Sequence, residues 1–225
     1  LVLGRYIPSL KFMEVLLGSE PVLGPQQRLY QRLLADDADD AISMAVQSVE
    51  ERLLSKPNQD DRASAVSGFY DEVAIPALRI ATQQHLESAT AEHRLRLSNG
   101  MAALLDELQD QYAFRSSGEH AQAAPGEGDQ RRCLRIHCAG VRWEVDALGA
   151  AMVAHAESLH GHEVSCSGWA LAPDSKSLQF DANGLLEDRE WVQAVKQSDL
   201  LVLSIFNHQP QSMARRIVRR IRRHW

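Results

Sequence analysis

Apolar positions recur at helical spacing through the first half of the chain and change to strand spacing in the second. Phe12-Met13-Glu14-Val15-Leu16-Leu17 reads as a short apolar turn or helix stopped by Gly18. Gly24-Pro25 opens the next helix, with proline in the first turn, where its missing N–H costs nothing; Leu29, Leu33 and Leu34 share a face. The acids from Asp36 to Asp40 suit the positive end of a helix whose stripe is Ile42, Val46, Val49 and Leu53, ending at Pro57-Asn58. A third helix is expected from Arg62 to about Ala89, with Phe69, Val73 and Leu78 inward and Pro76 kinking or splitting it. Thr90 can cap a fourth helix carrying Leu95, Leu97, Met101, Leu104, Leu105 and Leu108. About four antiparallel helices make a small bundle.

After residue 132 the period alternates. Cys133 to Cys138 is a short strand ending at Ala139-Gly140, and Val145 to His160 a helix with Leu148, Met152, Ala156 and Leu159 on one side. His162 to Leu171 is a second strand, and Asp188 to Gln197 a helix with Trp191 and Val195 inward. Leu200 to Ile205 is an apolar run suited to a parallel strand buried on both faces. A last helix covers Gln211 to His224. This alternation predicts a three-stranded parallel sheet with right-handed crossovers and strand order 2-1-3, a half-sized doubly wound unit. The fold class is therefore α plus α/β.

Between the two halves, residues 115–131 contain no large aliphatic or aromatic side chain and read as a linker that cannot offset its own ordering entropy. The expected division is a helical domain at 1–114, a flexible linker at 115–131 and an α/β domain at 132–225. Charge supports it. The first part holds 10 Lys/Arg against 17 Asp/Glu, the linker 2 against 3, and the last part 12 against 10. The net charge of −6 and the acidic first part speak against a nucleic-acid partner. Three cysteines without a regular framework fit a reducing compartment and act as small buried strand residues. No run approaches the roughly 18 apolar residues of a membrane helix, and no signal peptide is visible. Leu1-Val2-Leu3-Gly4 followed by Arg5 fits either the cytosolic end of a cut membrane helix or a trimmed start of a soluble protein.

The candidate chemistry is sparse. In such sheets ligands sit beyond the carboxyl ends of the strands, at the switch between the first and third. The loops there place Arg142, Trp143, Asn207 and His208 together as a ligand or partner edge. They lack the glycine pattern of a dinucleotide site, and the chain has no P-loop, so no cofactor is expected. The histidines and cysteines lack metal-ligand spacings, and alternation sends His137 and Cys138 to opposite faces, so no metal site is expected. Ser204 with His208 and Asp199 lacks the sharp turn that exposes a nucleophilic serine, so no catalytic residue is assigned and the chain is not expected to be an enzyme. The strongest feature is the last helix. Met213, Ile217 and Ile221, with Val218 beside them, form its packing stripe, while Arg215, Arg216, Arg219, Arg220, Arg222 and Arg223 occupy the rest. Such a face suits anionic lipid head groups, at about 1 kcal/mol per base near the surface; it also suits a solvated basic face on an amphipathic helix.

Leu3-Gly4-Arg5-Tyr6-Ile7-Pro8, the Val15-Leu16-Leu17-Gly18 and Glu20-Pro21-Val22-Leu23 steps after it, and Arg28 through Ala35 together resemble a segment of PerM-like permeases of the autoinducer-2 exporter family. Phe69-Tyr70-Asp71-Glu72-Val73-Ala74, with Pro76-Ala77-Leu78, is similar to a second piece of the same cytosolic extension. The resemblance covers most of residues 1–112. More loosely, the second half resembles the tail of those proteins, with a flavodoxin- or cobalamin-binding-like fold, but it lacks the D-x-H-x-x-G of a cobalt-ligating histidine, so no cobalamin is implied. The resemblance implies a cytosolic regulatory or assembly region on the inner face of a bacterial inner membrane, with Leu1–Gly4 as the stub of a membrane helix. Its partners would be its own transmembrane domain, an anionic lipid surface, and copies of itself. The alternative is a free-standing small-ligand module of cobalamin-like or receiver-like fold. A standard receiver is excluded because no acidic pocket follows the first strand.

Overall fold

A computed structural model describes residues 23–55, 61–85, 90–113, 133–141, 143–167, 189–206 and 209–223. The first apolar turn at Phe12–Leu17, the linker at 115–131 and the far half of the expected second strand lie outside these residues.

Helix α1 (Pro25–Leu34) starts as its proline demands, with Gly24 at the N-cap and the Gln27 side chain accepting the Gly24 N–H at 3.2 Å. It ends in a left-handed turn at Asp36, φ 64°. There the Asp37 N–H donates to the Arg32 carbonyl at 3.0 Å and the Asp36 N–H to the Leu33 carbonyl at 3.3 Å, which together make a Schellman closure. Asp37 then caps helix α2 (Ala38–Ser55), its Oδ1 accepting the Asp40 N–H at 3.3 Å. The deepest line of α2 is Ala41, Ala45 and Val49; the larger Ile42, Val46 and Leu53 are only half-buried. The stripe is thus rotated one residue from the expected one, because alanines let neighbouring helices approach.

The long third helix is divided. Helix α3 (Asp61–Phe69) widens into a π-helical turn at Tyr70–Ala74 before helix α4 (Ile75–His85). Ile75 donates its N–H to the Tyr70 carbonyl, five residues back. Pro76 has no N–H to offer and its ring would strike the Glu72 carbonyl in a regular helix, so the wider turn accommodates it without a break. In helix α5 (Ala91–Gln111), Thr90 Oγ1 accepts the His93 N–H at 3.3 Å, as its cap position predicts. Leu97, Met101, Leu104, Leu105 and Leu108 are buried, whereas Leu95 is exposed and leaves the expected stripe. Gly100 lets α5 cross α1 closely: a Cβ there would lie 2.7 Å from Leu33 Cδ2.

The second half forms strands β1 (Arg135–Gly140), β2 (Glu163–Ser167) and β3 (Leu200–Ser204), all parallel, in the order β2-β1-β3 that the alternation predicts. Helix α6 (Glu144–Leu159) joins β1 to β2, α7 (Arg189–Gln197) precedes β3, and α8 (Pro210–Arg223) follows it. Burial on both faces is found in the central strand: Ile136, His137, Cys138 and Ala139 are all buried. Strand β3, expected to be so, is an edge strand that is only half-buried, with Leu200 exposed. Cys138 is buried as expected, but Cys133 and Cys166 are exposed.

Helix α6 is the hub. It was expected to bury one side; it buries two. Leu148, Ala151 and Met152 join the same buried cluster as the leucines of α1 and α5, while Ala150 packs with Ile136 and Cys138 of the sheet. A helix with apolar residues around its circumference belongs between two layers. The order through the molecule is bundle, α6, sheet.

Candidate functional site

The described part of the sheet's carboxyl edge, where the sequence places a ligand or partner edge, is closely stitched. Gly140 ends β1 against the first turn of α6, and a Cβ there would lie 2.5 Å from the Ala147 nitrogen. On α6, a Cβ at Gly149 would meet the Phe206 ring at 2.5 Å and Ser204 Oγ at 2.6 Å. Asp146 lies between, 1% exposed. Its Oδ2 accepts the Trp143 N–H at 3.0 Å, and its Oδ1 accepts the Phe206 N–H at 2.6 Å. One carboxylate thus caps α6 and holds the chain leaving β3, and charge-assisted bonds to main-chain N–H groups are among the stronger ones. Sequence reasoning passed over Asp146; its position three residues after the N-cap, ahead of an apolar run, is the signal that could have found it. Of the expected edge residues, Trp143 is exposed beside this carboxylate. Arg142, Asn207 and His208 lie outside the described residues.

The grouping of Ser204 with Asp199, set aside on the sequence, does not assemble in the structure either. Asp199 precedes β3 and Ser204 ends it, so five residues of strand separate them by about 16 Å. Asp199 instead grips Arg135 at the amino edge: Nη2 donates to Oδ1 at 2.9 Å, while Nε and the Arg135 main-chain N–H donate to Oδ2 at 3.2 and 3.0 Å. These hydrogen bonds, with the neighbouring negative charge, raise the Arg135 pKa.

Two buried histidines stand apart from these edges. His137, on the central strand, engages Ser165 Oγ through Nδ1 at 2.8 Å and Ser167 Oγ through Nε2 at 3.0 Å. Burial lowers its pKa. Both ring nitrogens are taken by hydroxyls, so the cluster is a satisfied polar contact across β1 and β2. His155, on α6, meets the Tyr70 hydroxyl through Nδ1, 2.7 Å away, joining the π-helical turn to α6 inside the protein. Burial raises the Tyr70 pKa, so the phenol stays protonated and can donate. Burial lowers the His155 pKa, opposed by the Tyr112 main chain. Its Nε2 is buried with no hydrogen-bond partner of good geometry among the described residues. Among the described residues no group of three His, Cys, Asp or Glu side chains converges as metal ligands would.

On α8, Ile217 is buried and Met213 and Ile221 are half-buried, as the stripe predicts; Val218 is exposed and lies outside it. Arg215, Arg216, Arg219 and Arg222 are exposed. The side chains of Arg220 and Arg223, and that of Trp191 on α7, are outside the described set. Among the described residues no helix is long and apolar enough to cross a membrane. Comparison with models of protein families, with curated proteins and with solved structures returns no match.

Proposed function

We propose that this chain is a non-catalytic contact module, the regulatory or assembly region of a bacterial inner-membrane permease of the PerM-like, autoinducer-2 exporter type, lying on the cytosolic side. The ordered motifs between Leu3 and Leu78 support the permease part of this reading. The arginine face of α8 carries the contact part. Arg215, Arg219 and Arg222 stand on one line opposite Ile217, spanning about 10 Å along the helix axis, and residues 210–225 include no acid. The rest of the chain carries 18 Lys/Arg against 30 Asp/Glu, so the positive charge is concentrated in this helix. Head groups of an anionic bilayer complement it. No residue of this chain is assigned to a transport path, and self-association would serve an assembly role.

Two measurements test the two parts separately. The purified chain should float with vesicles containing phosphatidylglycerol and not with phosphatidylcholine alone, and should be released as salt shortens the Debye length. Replacing Arg215, Arg219 and Arg222 with Gln should abolish flotation. Absence of binding to the anionic vesicles removes the contact reading. The gene upstream of the Leu1 codon should encode several apolar spans of about 20 residues, and its full product should fractionate with the inner membrane. A gene without such spans removes the permease reading. The alternative, a free-standing small-ligand module, would need its ligand at an edge already occupied by Asp146 and Phe206. A thermal shift with a nucleotide or cofactor would favour it.

A further inference from the structure

Cys138 and Cys166 are register partners on the adjacent parallel strands β1 and β2. Register partners project from the same face of a sheet, because side chains alternate in step along paired strands. Here that is the face covered by α6, where Cys138 packs with Ile136 and Ala150. Cys138 is buried and Cys166 is exposed, so one thiol of the pair can meet a solute while the other waits behind it. Cys133 stands apart at the amino end of β1, its thiol donating to the Gly161 carbonyl at 3.3 Å.

We propose that Cys138 and Cys166 are a redox-responsive pair, closed into an intrachain disulfide by a low-molecular-weight disulfide. Cys166, exposed as a residue but with a thiol that burial holds largely protonated, reacts through its small thiolate fraction: it loses its proton to water and its sulfur attacks the small disulfide, releasing one small thiolate and leaving a mixed disulfide. Cys138, deprotonated in turn, attacks the Cys166 sulfur and releases the second small thiolate. Two protein thiols are oxidised by two electrons, the small disulfide is reduced to two thiols, and the two protons lost by the cysteines end on the released thiolates.

The geometry favours a switch over a permanent brace. Neighbouring strands lie about 4.8 Å apart, whereas the Cβ atoms of a disulfide sit about 3.8 Å apart. Closure therefore needs β2 to move toward β1 by about 1 Å. Among the described residues β2 is an edge strand paired only with β1, so none of them holds its other side against that shift. A bond formed under such strain is readily reduced. Burial, then the neighbouring Cys166 and then Glu157 push the Cys138 thiol up to about 12, and burial pushes the Cys166 thiol up to about 11, so the pair rests protonated and reduced until an oxidant arrives. Once formed, the bond fixes β2 to the central strand beneath α6.

The test uses the folded chain with its three cysteines, incubated with oxidised glutathione, quenched in acid, and read by intact mass and a non-reducing peptide map. The expected result is a loss of about 2 Da and a single cross-linked peptide joining Cys138 to Cys166, reversed by dithiothreitol. Cys133→Ser should leave this unchanged and Cys166→Ser should abolish it. In urea, where the register is lost, linkages involving Cys133 should appear beside it. The proposal is overturned if the folded chain gives a lasting glutathione adduct on Cys166 with Cys138 still free. A cross-link that includes Cys133, or two unreacted thiols at Cys138 and Cys166, would overturn it equally.

Discussion

The two sides of α6 face different materials. Toward the bundle, Leu148 and Met152 meet a cluster built from Leu29, Leu33, Phe69, Leu78, Leu97, Met101, Leu104, Leu105 and Leu108. Toward the sheet, among the described residues, Ala150 meets Ile136 and Cys138 in full burial, with Val164 and Val202 partly buried against them. The first side gains from large apolar side chains removed from water. The second gains from closeness: Gly140 and Gly149 let backbone and ring approach, and the Asp146 carboxylate ties the gap. Among the described residues the sheet's own buried cluster is small beside the bundle's, and α6 adds the core of its neighbour to it. Folding of the sheet should therefore be tied to the bundle.

The most direct way to break that link is Leu148→Ala, which hollows the bundle side and leaves the sheet side untouched. Burial of Leu148 is nearly complete, so the loss expected is about 2–5 kcal/mol. The readout separates the halves. All four tryptophans, Trp143, Trp169, Trp191 and Trp225, lie in the second half, so fluorescence follows the sheet part, while far-UV dichroism is dominated by the helices of the bundle. With a shared core, both signals should shift together to the same lower urea midpoint. Separate midpoints, with only the dichroism moved, would show two independent units.

Much of this arrangement was legible in the sequence, and the reasons for the misses are physical. The strand order followed from alternating period, the Thr90 cap from its hydroxyl before an apolar run, and the inner line of α8 from Met213, Ile217 and Ile221 at every fourth residue. Helix α6 was read as one-sided because alanine and glycine are compatible with either burial or exposure; only the facing elements decide. Leu200-Leu201-Val202-Leu203 carries no mark of its place at a sheet edge, since edge and centre differ in neighbours and not in the strand's own pattern. The π-helical turn was seen only as a proline problem, because Pro76 states that a regular helix cannot continue and not which irregularity replaces it. Asp146 was missed among loop residues because its partner, the Phe206 N–H, is sixty positions away.

Acid should loosen the same joint by a smaller amount. His155 and His137 are held neutral, with folded pKa values below the ordinary 6.5. Below pH 6.5 the unfolded chain binds protons that the folded chain refuses, so stability falls as pH falls toward the folded values, and is fully present above 6.5. Each such histidine contributes at most about 1.4 kcal/mol per pH unit in that window. His155→Gln keeps an acceptor for the Tyr70 hydroxyl and does not titrate. Urea midpoints between pH 7 and pH 5 should therefore fall less steeply for this variant than for the parent chain. Parallel curves would show that the joint to the bundle is not where the proton is felt.

The smallest change sharpens the comparison from the bundle side alone. Asp36 closes α1 in the left-handed region, φ 64°, where a β-carbon is disfavoured and glycine is at ease. Its side chain is exposed, and the main-chain bonds that close the turn, from Asp37 to Arg32 and from Asp36 to Leu33, do not need it. The acid that caps α2 is Asp37, so replacing Asp36 leaves the next helix its cap. Asp36→Gly relieves the strain in the folded turn, about 1–2 kcal/mol, and adds freedom to the unfolded chain, about 0.4–1 kcal/mol in the opposite sense. Relief should prevail, raising stability by about 0.5–1 kcal/mol. If α6 joins the halves into one cooperative unit, that gain will appear equally in tryptophan fluorescence, although every tryptophan is more than a hundred positions from the substituted turn. A gain seen by dichroism and absent from fluorescence would place the limit of cooperativity at α6 itself.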